Sequence, residues 1–370
     1  MTFYRKRNAY MLNRGTVRHG YDWWWHSFLA EDEESGELSS FFIEYYIINP
    51  ALSPEKIIFG QLPENKNAKR KPSYSMIKAG KWGENKAQIH NFYPTKDFSA
   101  SKSHMDVRIG SHTADDFHLK GSVSMGAEEA EAHPEYMSDA GSMTWDIKVL
   151  SKTPYSVGYG ASRMARCINA FEMFWHVGGM ITEYEGHVIF NGKKYIVRPE
   201  TCAGYQDKNW GKDYTNPWIW LSCNRFRDKQ GNLLKKTGLD IGGGRPKVFY
   251  FSIPKKILVA FIYKGKLYEF NFTKIFFQKQ AWKCNIVDDK VHWDVAVENR
   301  THALEVKFSC PIDTMLLVNY ENPAGEKNHN QLWNGGFASG TLRFYEKKNS
   351  KKILLADLDG EYAGCEYGAY

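Results

Sequence analysis

"YDWWWHSFLA" (residues 21–30) and "FFIEYYIINP" (residues 41–50) decide how this chain is read. Both are extended runs of aromatic and β-branched residues, the side chains that suit a pleated, half-buried surface. Successive side chains of a strand point to opposite faces. Asp22, Trp24, His26 and Phe28 therefore share one face, and Tyr21, Trp23, Trp25 and Ser27 the other. In the second run Phe42, Glu44, Tyr46 and Ile48 fall together, and Gly36 supplies a turn between the runs. If the sheet closes on itself, one of these faces lines a lumen.

The same signals recur outward from these runs. Strands are expected at 73–78, 87–93, 105–111, 116–124 and 143–150, joined by loops rich in Gly, Ser, Asp and His. "FEMFWHVGGMITEYEGHVIFNGKKYIV" (171–197) carries an Asn-Gly hairpin turn at Asn191 and Gly192. Further strands are expected at 218–226, 247–253, 257–272 with a turn at Lys264 and Gly265, 290–299, 303–310, 315–320, 338–347 and 352–363. Helical signals are few and short, at 127–132 and 160–170. Many short strands with regular turns mean sandwiches or barrels. A chain of 370 residues exceeds one ordinary core, so two such units are expected. The boundary falls in the Gly-, Ser- and Pro-containing stretch "TPYSVGYGASR" (153–163), which gives domains 1–165 and 166–370.

Composition narrows the function classes. The net charge of +7 is dispersed. Lys69-Arg70-Lys71, Lys235-Lys236, Lys347-Lys348 and Lys351-Lys352 sit beside turn residues and read as solvated loops, so no nucleic-acid partner is expected. The six cysteines include no Cys-x-x-Cys pair, and His104, His112 and His118 match no zinc spacing, so no metal is expected. No apolar run is long enough for a signal peptide or a membrane span, and reduced thiols in the cytoplasm are the expectation. The aromatic share of 15% is high, and aromatics line apolar ligand pockets.

Several polar residues stand out against this background. Asp22 and His26 flank Trp24 on one strand face, where burial would tune an acid–base pair; as alternatives, Asp22 caps a turn and His26 lies at a rim. Glu44 is a lone carboxylate in an apolar strand, either a proton donor in a greasy pocket or an outward, solvated side chain. Trp175 lies beside His176, which a structural role would also explain. "GYQDKNWGKDYTNPWIWLSCN" (204–224) sets Trp210, Trp218 and Trp220 beside Asp207, Lys208 and Asn209. Three polar residues in a row do not read as core. "GLDIGGGRPK" (238–247) lacks the spacing and following helix of a phosphate loop and reads as a flexible turn, or as backbone close to a ligand.

"YQDKNWGKDYTNPWIWLSCN" resembles the Lys-Asn-Trp-Gly segment of tocopherol cyclases, a family related to carotenoid hydratases and AttH-like proteins. "YDWWWHSFLA", "FFIEYYIINP", "FEMFWH…EGHVIFNGKKY", "GGGR", "YKGKLYEF" and "VENRTHALEV" are similar to that family's segments in the same order, over nearly the whole chain. The resemblance implies two consecutive lipocalin-like antiparallel β-barrels. It also implies chemistry at a carbon–carbon double bond of a long apolar molecule, with no cofactor. Lys208, Asn209, Trp210, Gly211 and Trp24 match the family, and Asp207 and Asp22 stand where it has Glu. His26 replaces an aromatic, Trp23 a glycine and Glu44 a methionine, which implies a reshaped pocket.

Together these readings lead to an expected enzyme that protonates an alkene of a prenyl or polyene substrate. Asp22 would be the donor, with His26 or Glu44 as its partner. Trp24, Trp175 and Trp210 would stabilise the cation by their π-faces. Asp207, Lys208 and Asn209 would fix the polar end of the pocket, with Tyr46, His176 and Trp220 as further substrate contacts. The expected partner is a small apolar ligand, with peripheral membrane contact for its uptake; the oligomeric state stays open. A non-catalytic lipid carrier is the alternative reading. A polysaccharide-binding or polysaccharide-cleaving protein is a third, which would need an open groove flanked by two carboxylates.

Overall fold

Alternating apolar and polar residues draw most of the chain into antiparallel strands. The computed structural model describes residues 2–155, 172–245, 247–248, 251–252, 254–271, 278–318, 320–326, 332–349 and 351–368. Chain contacts divide it into two units, and the first takes in the described residues before 156, then 172–214 and 320–326. It thus runs past position 165 and gathers a segment from far along the chain. The expected helix at 160–170 lies outside the described residues, and 127–132 is a short helix.

The first unit contains β1 (Tyr21–Asp32), β2 (Leu38–Ile48), β3 (Tyr74–Lys81), β4 (Ala87–Tyr93), β5 (Phe98–Ala100), β6 (Asp106–Ile109), β7 (His112–Asp115), β8 (His118–Met125), β9 (Gly141–Tyr155), β10 (Met173–Phe190), β11 (Lys193–Val197) and β12 (Gly204–Gly211). They form one sheet in the order β4-β3-β2-β1-β11-β10-β9-β8-β7-β6-β5, and β12 pairs with both β1 and β10. The sheet curls back on itself where the Asn91 amide of β4 donates to the Ser124 carbonyl of β8 at 2.8 Å. One face encloses a core of Trp24, Phe28, Phe41, Ile43, Tyr45, Ile77, Trp145 and Val188 among others.

The strand β12 overturns one expectation. Asp207, Lys208 and Asn209, which do not read as core, are core: every residue of Gly204–Gly211 is buried, in the middle of the sheet. Buried charge is tolerable when it is paired and hydrogen-bonded, and each charge here has a partner, described below.

The second unit is a curved antiparallel sheet in which Trp218–Cys223 lies between Gly238–Gly244 and Lys351–Gly368. The two ends of this sheet are tied by Gln280, whose amide donates to the Ile257 carbonyl at 2.8 Å. The triple glycine, expected to be a flexible turn or backbone close to a ligand, is strand. A Cβ on Gly243 would come within 2.3 Å of the Lys256 carbonyl oxygen, so close strand approach requires glycine there. Both units are lipocalin-like and all-β, with short helices at Thr2–Arg7, Pro63–Asn67 and Ala127–Ala132. Among the described residues no helix is long and apolar enough to cross a membrane.

Candidate functional site

Ladder register sorts the polar residues of the first unit onto two faces. Asp22 lies opposite Ile47 and Trp210, Trp24 opposite Tyr45 and Lys208, and His26 opposite Ile43 and Gln206. These share the enclosed face. Trp23 lies opposite Tyr46 and Asn209, and Trp25 opposite Glu44 and Asp207. These share the other. The expected partnership of Asp22 with Glu44 therefore does not form, because the two carboxylates point to opposite sides of the sheet.

On the enclosed face Asp22 and Lys208 form a salt bridge with both side chains fully buried. The other carboxylate oxygen accepts the Met11 backbone N–H at 2.8 Å. Lys208 Nζ lies 3.6 Å from the centre of the Trp24 ring, a cation–π contact, and Trp210 stacks on Phe174. Burial pushes the Asp22 carboxyl up to about 6, with Lys208 pulling the other way. Burial likewise lowers the Lys208 ammonium to about 8, against the pull of Asp22. Asp22 thus neither caps a turn nor meets solvent.

His26 is buried on the same face, four positions along from Asp22. The Tyr184 hydroxyl donates to the Tyr205 carbonyl, which leaves His26 Nδ1 as donor to the Tyr184 oxygen at 3.0 Å. His176 lies opposite Lys208, with neither ring nitrogen partnered among the described residues. Burial lowers both imidazoles to about 3, so both are neutral.

The opposite face holds a second buried pair. Glu44, in the middle of β2, is fully buried rather than solvated, and its Oε2 lies 2.6 Å from Lys78 Nζ. Register places Lys78 of β3 directly across from Glu44. The Tyr320 hydroxyl donates to Glu44 Oε2 at 3.0 Å and accepts from Lys78 Nζ. Glu44 Oε1 has no hydrogen-bond partner among the described residues. Trp23 stacks on Tyr320 at 5.5 Å, and Lys78 Nζ lies 5.6 Å from the Trp25 ring centre. Tyr46 exchanges a hydrogen bond with the Tyr214 hydroxyl at 2.7 Å. Burial raises both of these phenols well above their ordinary range, so both stay protonated.

A cavity of about 290 Å³ adjoins this second pair. Tyr320 lines it, together with Phe59, Tyr74, Met76, Phe92 and Tyr136. The rings of Phe59, Tyr74, Phe92 and Tyr136 pack at centroid distances of 4.9 to 5.4 Å. Its polar lining includes His90 and Glu321. Tyr320 and Glu321 reach the cavity because their segment is strapped to the first unit. Asn49, in the left-handed region at φ 44°, uses its side-chain amide to donate to the carbonyls of Pro72 at 2.8 Å and Pro323 at 2.9 Å. The Glu321 carboxylate accepts the backbone N–H of Gln61 at 2.7 Å and of Gly60 at 3.2 Å.

The remaining expected residues are dispersed. Asp207 shares the face of Glu44 but has its own donors, Trp175 Nε1 at 2.7 Å and the Tyr205 hydroxyl at 3.2 Å. Asn209 lies opposite Trp175 on that same face. Trp220 belongs to the second unit, where its Nε1 donates to Asp240 at 3.1 Å. Sequence reading missed Lys78, His90, Tyr320 and Glu321. Lys78 had a signal, a charge inside an apolar strand like that of Glu44. Tyr320 had none, because its return to the first unit is a tertiary event.

Two lipocalin-like units, one with a buried carboxylate–lysine–phenol cluster beside an aromatic cavity, define an all-β protein. The chain belongs to the tocopherol cyclase-like family, whose model matches residues 43–369. It is 27% identical over 144 residues to a probable chloroplastic tocopherol cyclase of Oryza sativa subsp. japonica. That match spans 37% of this chain and 27% of the relative. The chloroplastic tocopherol cyclase of Zea mays is 25% identical over 149 residues, again 27% of its length. Among solved structures, CghA with Sch210972 aligns over 98% of this chain and 94% of its own at TM-score 0.50 and 10% identity. Kievitone hydratase from Nectria haematococca aligns over 98% and 96% at TM-score 0.47 and 12% identity. At such identities the likeness to CghA bears on the fold.

Proposed function

We propose that this protein adds a proton to a carbon–carbon double bond of an apolar, prenyl- or polyene-type molecule held in the cavity of the first unit. The observation that carries this reading is Tyr320. Tyr320 is one of the residues lining the cavity, and its hydroxyl is hydrogen-bonded to a carboxylate–lysine pair that solvent does not reach. A proton passed from the Tyr320 hydroxyl to an alkene carbon is replaced from Lys78, and Glu44 balances the charge. The resulting tertiary cation faces aromatic rings, which stabilise positive charge. It is consumed by attack of an oxygen within the same molecule, which closes a ring and releases that oxygen's proton, or by loss of a neighbouring proton, which moves the double bond. Either route returns one proton to the relay and needs no oxidant. Excluding water favours these outcomes over hydration.

The cavity sits at the lower edge of the roughly 300–1,000 Å³ range of small-molecule sites. It suits a compact ligand, or one end of a longer one. The family membership supports the same class of chemistry.

The test is incubation with a panel of prenyl phenols and polyenes in deuterated water, read by mass spectrometry. The proposal expects solvent deuterium on carbon in product or recovered alkene, and its loss in Tyr320→Phe. A ligand that binds but never acquires deuterium would make the protein a carrier instead.

A further inference from the structure

The strands Leu332–Lys348 and Lys351–Gly368 of the second unit form a long antiparallel hairpin. Its end carries "KKNSKKILL" (347–355). Lys348 lies opposite Lys351, and Lys347 opposite Lys352. Like charges set directly opposite weaken a strand pair, so pairing does not account for these four lysines. Ile353, Leu354 and Leu355 follow at once and are 46%, 51% and 42% exposed. In a strand packed on one face, alternation would bury every second one of them. Here Tyr345 lies opposite Leu354 and Phe344 opposite Ala356, so Leu355 is an extra residue that breaks the alternation. Both faces stay open from Lys351 to Leu355, and burial begins only at Ala356.

Other turns of the second unit gather at the same end of its sheet. The Thr301 carbonyl accepts the Lys347 backbone N–H at 2.7 Å. The His302 ring packs on Phe344 at 5.3 Å and on Tyr268 at 4.8 Å. Lys266 and Leu267 precede Tyr268 in an exposed turn, where the Gly265 N–H donates to the Lys236 carbonyl at 2.8 Å. Lys235, Lys236, Lys264, Lys266 and Arg300 are all exposed here and add to the four lysines. The carboxylates beside them are fewer. Glu346 pairs with Lys348 at 3.0 Å, Glu305 with Lys352 at 2.9 Å and Glu298 with Lys347 at 3.5 Å, and Asp228 lies near Lys264. Exposed pairs such as those of Lys348 and Lys352 hold weakly, so these ammonium groups are able to turn to another anion.

An aliphatic tip ringed by ammonium groups matches the boundary of an anionic bilayer. Acyl chains accept Ile353, Leu354 and Leu355 from any direction, headgroup phosphates answer the charge, and lysine stems lie along apolar surface while their heads stay in the polar layer. Other partners match less well. Protein interfaces are depleted in lysine. A two-fold contact with a second copy would set the same lysines against one another. A nucleic-acid backbone would leave the three aliphatic side chains in water.

We propose that this end of the second unit docks on an anionic lipid bilayer, with Ile353, Leu354 and Leu355 entering the acyl boundary and the surrounding lysines holding the headgroups. The inference goes beyond the reading of the cavity in the first unit and does not rest on it.

Vesicle flotation of the full chain tests it, with phosphatidylcholine vesicles set against vesicles of phosphatidylcholine and phosphatidylglycerol. Wild type should bind the mixed vesicles at least about tenfold more tightly, and high salt should remove that preference by screening. Lys348→Gln with Lys351→Gln should weaken binding to mixed vesicles about twentyfold, from about fivefold for each lysine. Serine at 353, 354 and 355 together should weaken it at least about tenfold by removing the buried aliphatic area. A polarity-sensitive dye on Leu354→Cys covers the case of a variant that fails to fold. Its emission should shift to the blue with mixed vesicles, and the same dye on Leu317→Cys, across from Trp333 near the far end of the hairpin, should not shift. Equal binding to both kinds of vesicle, binding to neither, or an unshifted Leu354→Cys dye on protein that floats would overturn the assignment. So would a dimer in sedimentation that the triple-serine variant dissolves, which would give the tip to a second copy. Each of these results leaves the deuterium test of the cavity as it stands.

Discussion

Asp22–Lys208 and Glu44–Lys78 are built alike and set on opposite faces of one sheet. Each joins a fully buried carboxylate to a fully buried lysine on a neighbouring strand, with the ammonium near a tryptophan ring. Their surroundings differ. The first pair is closed off by the Met11 backbone, Trp24 and Trp210, among packed apolar side chains. The second is joined by the hydroxyl of Tyr320, a residue that lines a cavity. A buried ion pair is thus ambiguous by itself. On the proposed function, what separates a structural pair from a chemical one here is a third group that can hand a proton to a ligand.

The comparison breaks first at Tyr320. Tyr320→Phe removes one oxygen and should reduce deuterium incorporation about a hundred- to ten-thousand-fold, the usual range for a general acid. Ligand affinity should stay within about threefold in equilibrium binding. A variant with undiminished incorporation would place the proton source elsewhere, with Asp22 as the first alternative.

Next in size is the enclosed pair. Asp22→Ala leaves Lys208 buried and uncompensated, which costs about 3–5 kcal/mol. Urea unfolding should show that loss, with turnover per folded molecule unchanged. The double replacement Asp22→Leu with Lys208→Met should recover most of the stability, since an apolar pair of similar volume is often neutral. The matching replacement of Glu44 and Lys78 should also fold, but without deuterium incorporation. If the two double variants behave alike, the distinction between the faces fails.

A further effect follows from pH. His26, His90 and His176 are neutral when folded, lowered from 6.5 to about 3. Below pH 6.5 the unfolded chain takes up protons that the folded chain refuses. Their contribution to stability is therefore present above that pH and lost as pH falls toward 3, by up to about 1.4 kcal/mol per pH unit for each histidine. Asp22 runs the other way: raised from 3.8 to about 6, it favours the folded state as pH falls through that window. Chemical denaturation at pH 7 and pH 5 should show a net loss at the lower pH, and His90→Gln should lessen it. Smallest of all is Trp220→Phe in the second unit, which should leave ligand binding in the first unit unchanged within about twofold.

Most of the strands were legible because apolar alternation survives in them. Ala87–Tyr93 was read with its observed bounds, and the Asn191-Gly192 turn fell where expected. β12 was not, and the reason is physical. Asp207, Lys208 and Asn209 do not look like core until Asp22 arrives from β1 to neutralise Lys208, and Trp175 from β10 to hold Asp207. Local sequence carries no sign of those partners. The site divides in the same way. Glu44 was visible as a carboxylate in an apolar run, yet its role depends on Lys78 across the ladder and Tyr320 from 276 positions away. Loop closure over that distance leaves no periodic trace.

The central claim is that the cavity beside Tyr320 is where an apolar ligand sits. Organic extraction of wild-type protein and of Met76→Trp, which fills the cavity from its wall, followed by mass spectrometry, tests it most directly. The account predicts a prenyl or polyene compound released by wild type and absent from the filled variant. The same compound in equal yield from both would contradict it.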